Sequence, residues 1–324
     1  MNEARVQAAL DHCRGMIRDG SKSFALASLL FDAERRDAAF FLYGWCRHCD
    51  DEVDGSPFAE ASDRPTVEKK RERLGVLREK TALAFASLEQ VPDEPVFLAF
   101  HEVIRRYGVP RLYADELLEG MAMDAEGRAY PDSRTLQLYC WRVASVVGLM
   151  MCHVMGVSTP KALRNAADLG IAMQLTNIAR DVATDAAMGR VYLPEDWLRA
   201  EGLSPDPKSL MEPQNRDALV RVVGRLLDLA EQFYLSGNSG IRFLNFRSAL
   251  AVSAASAVYR QIGRWVRRRG ASAWESRTVV PPAWKRWALL GAVVRQGIGL
   301  PVRLLRPWRR ASLQGQVLEF SPEG

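Results

Sequence analysis

The residues best suited to chemistry begin in an acidic segment near the N-terminal side of the chain. Residues 43–54 read YGWCRHCDDEVD and place Asp50 and Asp54 four residues apart, with Arg47 just before them. In a helix, residues four apart are offset by about 40° and rise about 6 Å, so these two acids stack on one face. Like charges at this spacing destabilise a helix unless a cation lies between them. We call Asp50 and Asp54 the first array.

A second segment repeats the same spacing twice. Residues 174–185 read QLTNIARDVATD and set Asn177, Asp181 and Asp185 on one ridge of a helix whose other faces are apolar. Arg180 lies beside this ridge, as Arg47 lies beside the first. We call Asn177, Asp181 and Asp185 the second array.

The two arrays offer oxygen ligands and no His or Cys at matching spacing. Such donors suit Mg²⁺ or Mn²⁺ rather than Zn²⁺. Magnesium usually takes one or two carboxylates and completes its octahedron with water and substrate phosphate. Two arrays facing each other would therefore form a cage for a diphosphate. One alternative is that each array is a solvated helix face. A second, a glycosidase acid and base, explains neither the Asn nor the flanking arginines.

Helices must position these arrays. Apolar residues recur at steps of three and four through most of the chain, and the breaks fall at Gly or Pro clusters. No alternating strand is convincing beyond short pieces such as 278–280. We therefore predict one all-α domain over residues 1–300 and a basic tail over 301–324. The predicted helices lie near residues 3–18, 34–54, 65–90, 94–107, 111–125, 133–156, 160–186, 215–236, 243–269 and 284–300.

Charge is concentrated near the C-terminus. The chain has 324 residues, 48% of them hydrophobic, which is enough for a sizeable core, and a formal net charge of +5. From Arg260 to Arg310 it carries thirteen Lys and Arg against the single acid Glu275, interleaved with tryptophans. Cationic segments with Trp are typical of peripheral membrane surfaces. Nucleic-acid binding and a simple solvated face are the competing interpretations, and we expect no nucleic-acid partner.

Several other patterns bound the class of protein. The five cysteines form no regular framework, which favours a reducing cytoplasm. Cys46 and Cys49 have CxxC spacing, but no second ligand pair accompanies them, so we read them as free thiols. No Gly-rich dinucleotide or P-loop pattern occurs. The stretch 143–160 lacks charged residues other than His153 and is read as a buried core helix rather than a membrane span.

An ordered set of longer sequence segments, here called words, resembles the squalene and phytoene synthase family, most closely its bacterial phytoene synthases. The set covers most of residues 20–200, with weaker similarity to about residue 280. Any single word is modestly specific, whereas the ordered set is very specific. The words are GSKSF at 20–24, LYGWCRHCDDEVD at 42–54, EGMAMD at 119–124, YCWRVASVVGLMMCHVMGV at 139–157 and LGIAMQLTNIARDVATDAAMGRVYLP at 169–194.

The resemblance implies an all-α isoprenoid synthase fold with a central cavity. It implies that two geranylgeranyl diphosphates condense through prephytoene diphosphate to phytoene, with Mg²⁺ or Mn²⁺ held by both arrays. It further implies roles for residues outside the arrays. The implied diphosphate-binding residues, with Asn177 of the second array, are Ser21, Lys22, Arg47, Arg180, Tyr259 and Arg277. The implied catalytic residues are Asp50, Asp54, Asp181 and Asp185 of the arrays, with Tyr43 and Tyr192 at polar cavity positions. The tail-cavity residues are Phe24, Tyr139, Val143, Val147, Gly148 and Gln174. Some relatives have His where this chain has Gly20. The resemblance therefore implies that one diphosphate contact of those relatives is absent here.

Four matters stay open at the level of sequence. The small residues Ala144 and Gly148 lie four apart, which suits either a polyprenyl tail or close helix packing. The enzyme could instead be a dehydrosqualene, hydroxysqualene or squalene synthase using farnesyl diphosphate, or a non-catalytic assembly homologue. Without a dinucleotide pattern we expect no NADPH. The oligomeric state and the final base are not indicated.

Overall fold

The structure of the protein, a computed structural model, describes residues 3–20, 28–55, 65–281, 284 and 291. Its regular elements are all helical, and no strand occurs within these residues, so the all-α prediction is confirmed. The piece at 278–280 is irregular. The α-helices are α1 (Glu3–Gly20), α2 (Ala33–Asp54), α3 (Val67–Ala84), α4 (Pro95–Tyr107), α5 (Arg111–Ala125), α6 (Ser133–Cys140), α7 (Val146–Val154), α8 (Pro160–Ala187), α9 (Glu195–Ala200), α10 (Pro207–Leu210), α11 (Arg216–Gly240) and α12 (Phe246–Arg269).

The observed helices differ from the predicted ones in several places. The helix predicted over 65–90 ends at Ala84, and a separate 3₁₀ turn, Leu88–Gln90, follows. The Phe85 amide already bonds back to Ala82, which tightens the last turn and ends the helix. Helices α9 and α10 were not predicted, because four to six residues are too few to show a period. The helix predicted at 284–300 lies outside the described residues apart from two isolated positions.

The contacts divide the chain into two compact units. Among the described residues, one comprises those up to Arg128 with Leu149–Ser158, and the other Ala129–Gly148 with those from Thr159 onward. The predicted division into residues 1–300 and a 301–324 tail stays a prediction, because that tail lies outside the described residues.

In the first unit, α2 packs against α1 and α4. Trp45 is fully buried and stacks on Phe100 with ring centroids 3.9 Å apart. Gly44 lies where α1 crosses, and a Cβ there would be 2.5 Å from Cys13 Sγ. A larger residue here would have to displace the Cys13 side chain, so Gly44 favours the close packing of α1 on α2. Asp50 of the first array lies on the exposed side of α2.

In the second unit, α8 and α11 form the most extensive helix pair. Gly237 and Gly240 of α11 lie against α8, where an added Cβ would come within 2.7 Å of Leu169 and 2.4 Å of Asn165. The buried Asn165 amide donates to the Ser236 carbonyl oxygen at 2.8 Å. Close backbone approach and this hydrogen bond set the position of α8, which carries the second array.

Helices α6 and α7 join through a π-helical turn, Trp141–Ser145, into one helix, Ser133–Val154. Within the described residues it is the one helix long and apolar enough to span a membrane by length and composition, and 56% of its apolar window is buried inside the protein. That burial is typical of a core helix, as predicted from its sequence.

Candidate active site

The first array lies in the last two turns of α2. This helix starts at Asp32, whose side chain accepts the Arg35 amide at 2.9 Å, and ends at Gly55, which has a positive φ of 78°. Arg47 reaches forward along the helix to Asp51, with Nη2 and Oδ1 2.6 Å apart, and more loosely to Asp50, at 3.5 Å. Arg47 thus partly neutralises the start of the array.

Two residues outside the predicted site act on the first array. Lys70 of α3, 15% exposed, donates to Asp54 Oδ1 at 2.8 Å. Asp124, at the end of α5, lies close enough for its charge to act on Asp50. Lys70 carried no sequence signal. Asp124 ends the word EGMAMD, which could have marked it.

The pKa of Asp50 is sensitive to the negative charges around the first array. Burial and then the like charge of Asp54 raise the pKa of Asp50 to about 6. Its side chain is 56% exposed, so solvent limits the effect of burial and also screens part of this repulsion. A carboxylate pair held against its own repulsion favours a cation at this position.

The second array lies on the C-terminal half of α8, and two arginines hold its Asp181. Arg180 forms a bidentate pair with it, with Nε 2.9 Å from Oδ1. Arg277 approaches from the segment after α12, with Nε 3.1 Å from the same oxygen. Burial alone would raise the pKa of Asp181, but the hydrogen bonds and charges of these two guanidinium groups outweigh it, and the pKa is lowered.

Tyr259 and Asp185 complete the surroundings of Arg180. Tyr259 lies near enough for the charges of Arg180 and Arg277 to act on its hydroxyl, although burial raises its pKa above the usual value. Burial opposes the charge of Arg180, whereas Asp181 and Asp185 favour it, and the net pKa is raised. The structure therefore brings the predicted residues Arg180, Asp181, Tyr259 and Arg277 together around one carboxylate.

Asn177 carries an orphaned acceptor. Its Nδ2 donates to Gln174 Oε1 at 3.2 Å, while its Oδ1 is buried without a hydrogen-bond partner among the described residues. A buried oxygen left in this way costs about 1–3 kcal/mol. The Asn177 oxygen lies one helical turn before Asp181. Because it lacks a hydrogen-bond partner, it is well placed to become a ligand of a bound cation.

The donor set fits Mg²⁺ or Mn²⁺. Each array offers two carboxylates, and the second adds the amide oxygen of Asn177. Within the described residues no three His, Cys, Asp or Glu side chains converge as a ready-made metal cage. Magnesium does not require one, because it retains water and takes phosphate oxygens as ligands.

Aromatic side chains form a cluster in the second unit. Tyr139 stacks on Tyr192 with centroids 5.0 Å apart, and Tyr130 contacts each ring at 5.5 Å. All three are buried. Tyr139 and Tyr192 are predicted site residues, whereas Tyr130 was missed because an isolated Tyr beside Pro131 has no distinguishing spacing.

Three predicted tail-cavity residues of the Ser133–Val154 helix lie at or after the π-helical turn, whereas Tyr139 precedes it. Val143, Val147 and Gly148 are half-buried, so this helix keeps an incompletely covered face. A Cβ at Gly148 would lie 3.5 Å from the Ala166 carbonyl oxygen, which supports the helix-packing interpretation of the small residues. Single π turns inside α-helices are frequent at functional sites.

The remaining predicted residues are placed in part. Tyr43 is half-buried, and burial raises the pKa of its hydroxyl. Ser21, Lys22 and Phe24 lie outside the described residues, so their predicted roles stay predictions. Cys46 and Cys49 are free thiols, as predicted for this CxxC pair. Burial raises the pKa of both.

Comparison with known proteins extends the resemblance over most of the chain. A family model described as squalene/phytoene synthase matches residues 17–285. A phytoene synthase of Pseudescherichia vulneris is 45% identical over 83% of this chain and 85% of its own length. A 15-cis-phytoene synthase of Pantoea ananas is 43% identical over 87% of this chain and 90% of its own.

Solved structures agree in fold. A dehydrosqualene synthase crystallised with a ligand superposes with a TM-score of 0.80 at 25% identity, covering 91% of this chain and 99% of its own. A squalene synthase from Alicyclobacillus acidocaldarius gives a TM-score of 0.72 at 22% identity, covering 83% and 97% of the two chains. With an all-α fold, both arrays present and a family model matched over residues 17–285, the protein belongs to the squalene/phytoene synthase family.

Proposed function

We propose that the protein is a prenyl transferase that condenses two geranylgeranyl diphosphates, through prephytoene diphosphate, to phytoene, releasing two diphosphates. The observation that carries the reaction type is the group around Asp181, in which a carboxylate, two guanidinium groups and the orphaned Asn177 oxygen lie together. Identity above 40% to bacterial phytoene synthases, over more than four fifths of the chain, favours the twenty-carbon substrate.

Mg²⁺ or Mn²⁺, bound by the two arrays, would neutralise the diphosphate charge and so favour its departure. The protein groups share this task. Arg180 and Arg277 present forked donors to phosphate oxygens, which suits a leaving group whose charge grows as the allylic carbon–oxygen bond breaks. The bond's electron pair leaves with the diphosphate, and the allylic cation that remains must be kept from water.

The aromatic cluster supplies part of that protection. The rings of Tyr139 and Tyr192 are buried and stack on each other, which keeps water away from them. An aromatic ring that reaches a desolvated cation stabilises it by about 1–2 kcal/mol. Each substrate loses one diphosphate, and two protons are lost in all. The product therefore needs no reductant, and we expect no NADPH requirement.

The test is to incubate the purified protein with Mg²⁺ and each prenyl diphosphate separately and to extract the hydrocarbon. We expect phytoene from geranylgeranyl diphosphate, little product from farnesyl diphosphate, and no change on adding NADPH. A fifteen-carbon preference would instead indicate a dehydrosqualene, hydroxysqualene or squalene synthase. No product from any prenyl diphosphate would indicate a non-catalytic homologue.

We also propose that the protein works from the cytoplasm at the membrane surface, where its lipid substrate and product partition. Arg264 and Arg268 are exposed on α12, and Trp284, an isolated described position beyond it, is 47% exposed. Most of the basic region lies outside the described residues. Its composition of Arg, Lys and Trp nevertheless suits an anionic lipid surface.

The membrane proposal predicts co-sedimentation with vesicles rich in anionic lipid and release by high salt. Vesicles of neutral lipid are the control. Replacing Arg264 and Arg268 together by Gln should weaken the anionic binding, and unaltered binding to both vesicle types would contradict the proposal.

A further inference from the structure

The segment that follows α12 delivers Arg277 to Asp181 and is held by Arg269, the last residue of that helix. Arg269 donates to the Ser272 carbonyl oxygen at 2.8 Å, to the Ser276 carbonyl oxygen at 3.0 Å and to Thr278 Oγ1 at 3.1 Å. A fourth bond reaches Ser276 Oγ at 3.0 Å. One guanidinium group thus binds the residues on both sides of Arg277.

The same segment is also attached to the helix that bears the second array. Trp274 Nε1 donates to the Ala179 carbonyl oxygen at 3.0 Å, two residues before Asp181. Thr278 is 1% exposed and donates to the Ala273 carbonyl oxygen at 3.3 Å. The backbone on either side of Arg277 is therefore fixed relative to α8.

This fixation matters because Arg277 is itself exposed. Its side chain is 64% exposed, against 16% for Asp181. An exposed ion pair contributes little when both partners must first be ordered, because the lost conformational entropy offsets the attraction. A backbone already ordered by Arg269 removes much of that cost.

We propose that Arg269 is a positioning residue that acts through Arg277. It holds the 272–278 segment so that the Arg277 guanidinium stands at Asp181, ready to bind a diphosphate. The ligand class rests on the proposed function. Lysine cannot take the place of Arg269, since an ammonium group is a point charge and cannot span four acceptors with a planar fork.

A double-mutant cycle tests this role. Affinity for inorganic diphosphate in the presence of Mg²⁺ is measured by calorimetry for the parent protein, Arg269→Gln, Arg277→Gln and the double variant. Loss of a charged hydrogen bond weakens binding about tenfold or more. We expect both single variants to show a loss of this order, and the double variant to bind no more weakly than Arg277→Gln.

Arg267→Gln is the matched control. It removes the same charge from the same helical turn, but its partners are Asp228 and the Gly224 carbonyl oxygen on α11. Its diphosphate affinity should equal that of the parent. Arg269→Lys should behave like Arg269→Gln. Losses that add in the double variant, or full affinity in Arg269→Gln, overturn the proposal.

A milder variant covers the case in which Arg269→Gln does not fold. Ser276→Ala removes one acceptor of Arg269, and we expect a loss of a few-fold that disappears in the Arg277→Gln background. A parent protein that binds no diphosphate also overturns the inference. If the parent protein binds diphosphate but makes no hydrocarbon, the proposed function is contradicted. The double-mutant cycle then still tests the role of Arg269.

Discussion

The acids of the two arrays already face protein cations. Asp54 meets Lys70, and Asp181 meets Arg180 and Arg277. These pairs reduce the repulsion that the spacing of the acids creates, so the chain can hold its carboxylates in place before a metal binds. Asn177 differs, because its buried oxygen has no compensating partner among the described residues.

The orphaned oxygen makes a prediction at Asn177. Asn177→Leu removes a buried acceptor that costs about 1–3 kcal/mol while unsatisfied, so the melting temperature of the metal-free protein should stay level or rise. Mg²⁺-dependent diphosphate binding should fall at least tenfold. Differential scanning fluorimetry and calorimetry measure the two effects. A clear loss of stability would show that the oxygen is satisfied in the native protein.

The first array makes a separate prediction. Asp50→Asn should lower turnover about 100-fold or more, since removing one preorganised electrostatic contact commonly has that effect, and circular dichroism should be unchanged. Glu52→Gln is the control. It removes one negative charge from the exposed side of the same helix, and its turnover should match that of the parent. Full activity in Asp50→Asn would contradict the metal role.

At the scale of elements, the contact between α8 and α11 depends on glycine. Gly237→Ala would place a Cβ 2.7 Å from Leu169, so we expect a destabilisation of about 1–3 kcal/mol by urea unfolding, with reduced activity because α8 shifts. Gly224→Ala on the same helix is the control. Its Cβ meets nothing within 4 Å, so we expect a gain of about 0.5–1 kcal/mol.

The start of the Ser133–Val154 helix gives a pH prediction. Asp132 accepts the Thr135 amide at 2.8 Å, and this bond lowers the pKa of its carboxyl. Asp132→Ala should cost about 1 kcal/mol at pH 7. Because the folded pKa is depressed, the ionised cap stabilises above the unfolded pKa and is lost as the pH falls through the folded value.

Urea unfolding across pH measures this dependence. The difference between the parent protein and Asp132→Ala should be constant above about pH 5 and shrink below about pH 4. Asp132→Asn also caps a helix but does not titrate, so it should keep most of the stability at pH 7. A difference that grows on acidification would contradict the assignment.

At the scale of the molecule, metal and diphosphate should stabilise the fold together. A ligand that binds only the native state adds about 2.7 kcal/mol at 100 times its dissociation constant. Mg²⁺ with inorganic diphosphate should therefore raise the melting temperature by a few degrees. Neither ligand alone should do so fully, because each completes the coordination of the other. Equal shifts in parent and Asp181→Asn would oppose a site at the second array.

Whether a structural feature could be predicted from the sequence depends on how far apart in the chain the interacting residues lie. The face shared by Asn177, Asp181 and Asp185 was predictable, because backbone hydrogen bonds four residues apart impose that period on any helix. Most long helices were predicted for the same reason. The π-helical turn and the end of α3 were not, because neither falls at a Gly or Pro residue that would mark a break in the helical pattern.

Spacing and type of residue alone determined that the chain is helical, that it carries two acidic ridges and that arginines accompany them. Only the tertiary structure decided which cations those ridges meet. Arg277 lies 96 residues from Asp181 and Lys70 lies 16 from Asp54. Such pairs arise from the packing of distant segments. Gly237, for example, allows α11 to approach α8 closely, and no local sequence pattern predicts this contact. A helical period is written in a few neighbouring residues, whereas a contact between distant segments depends on the whole packed chain.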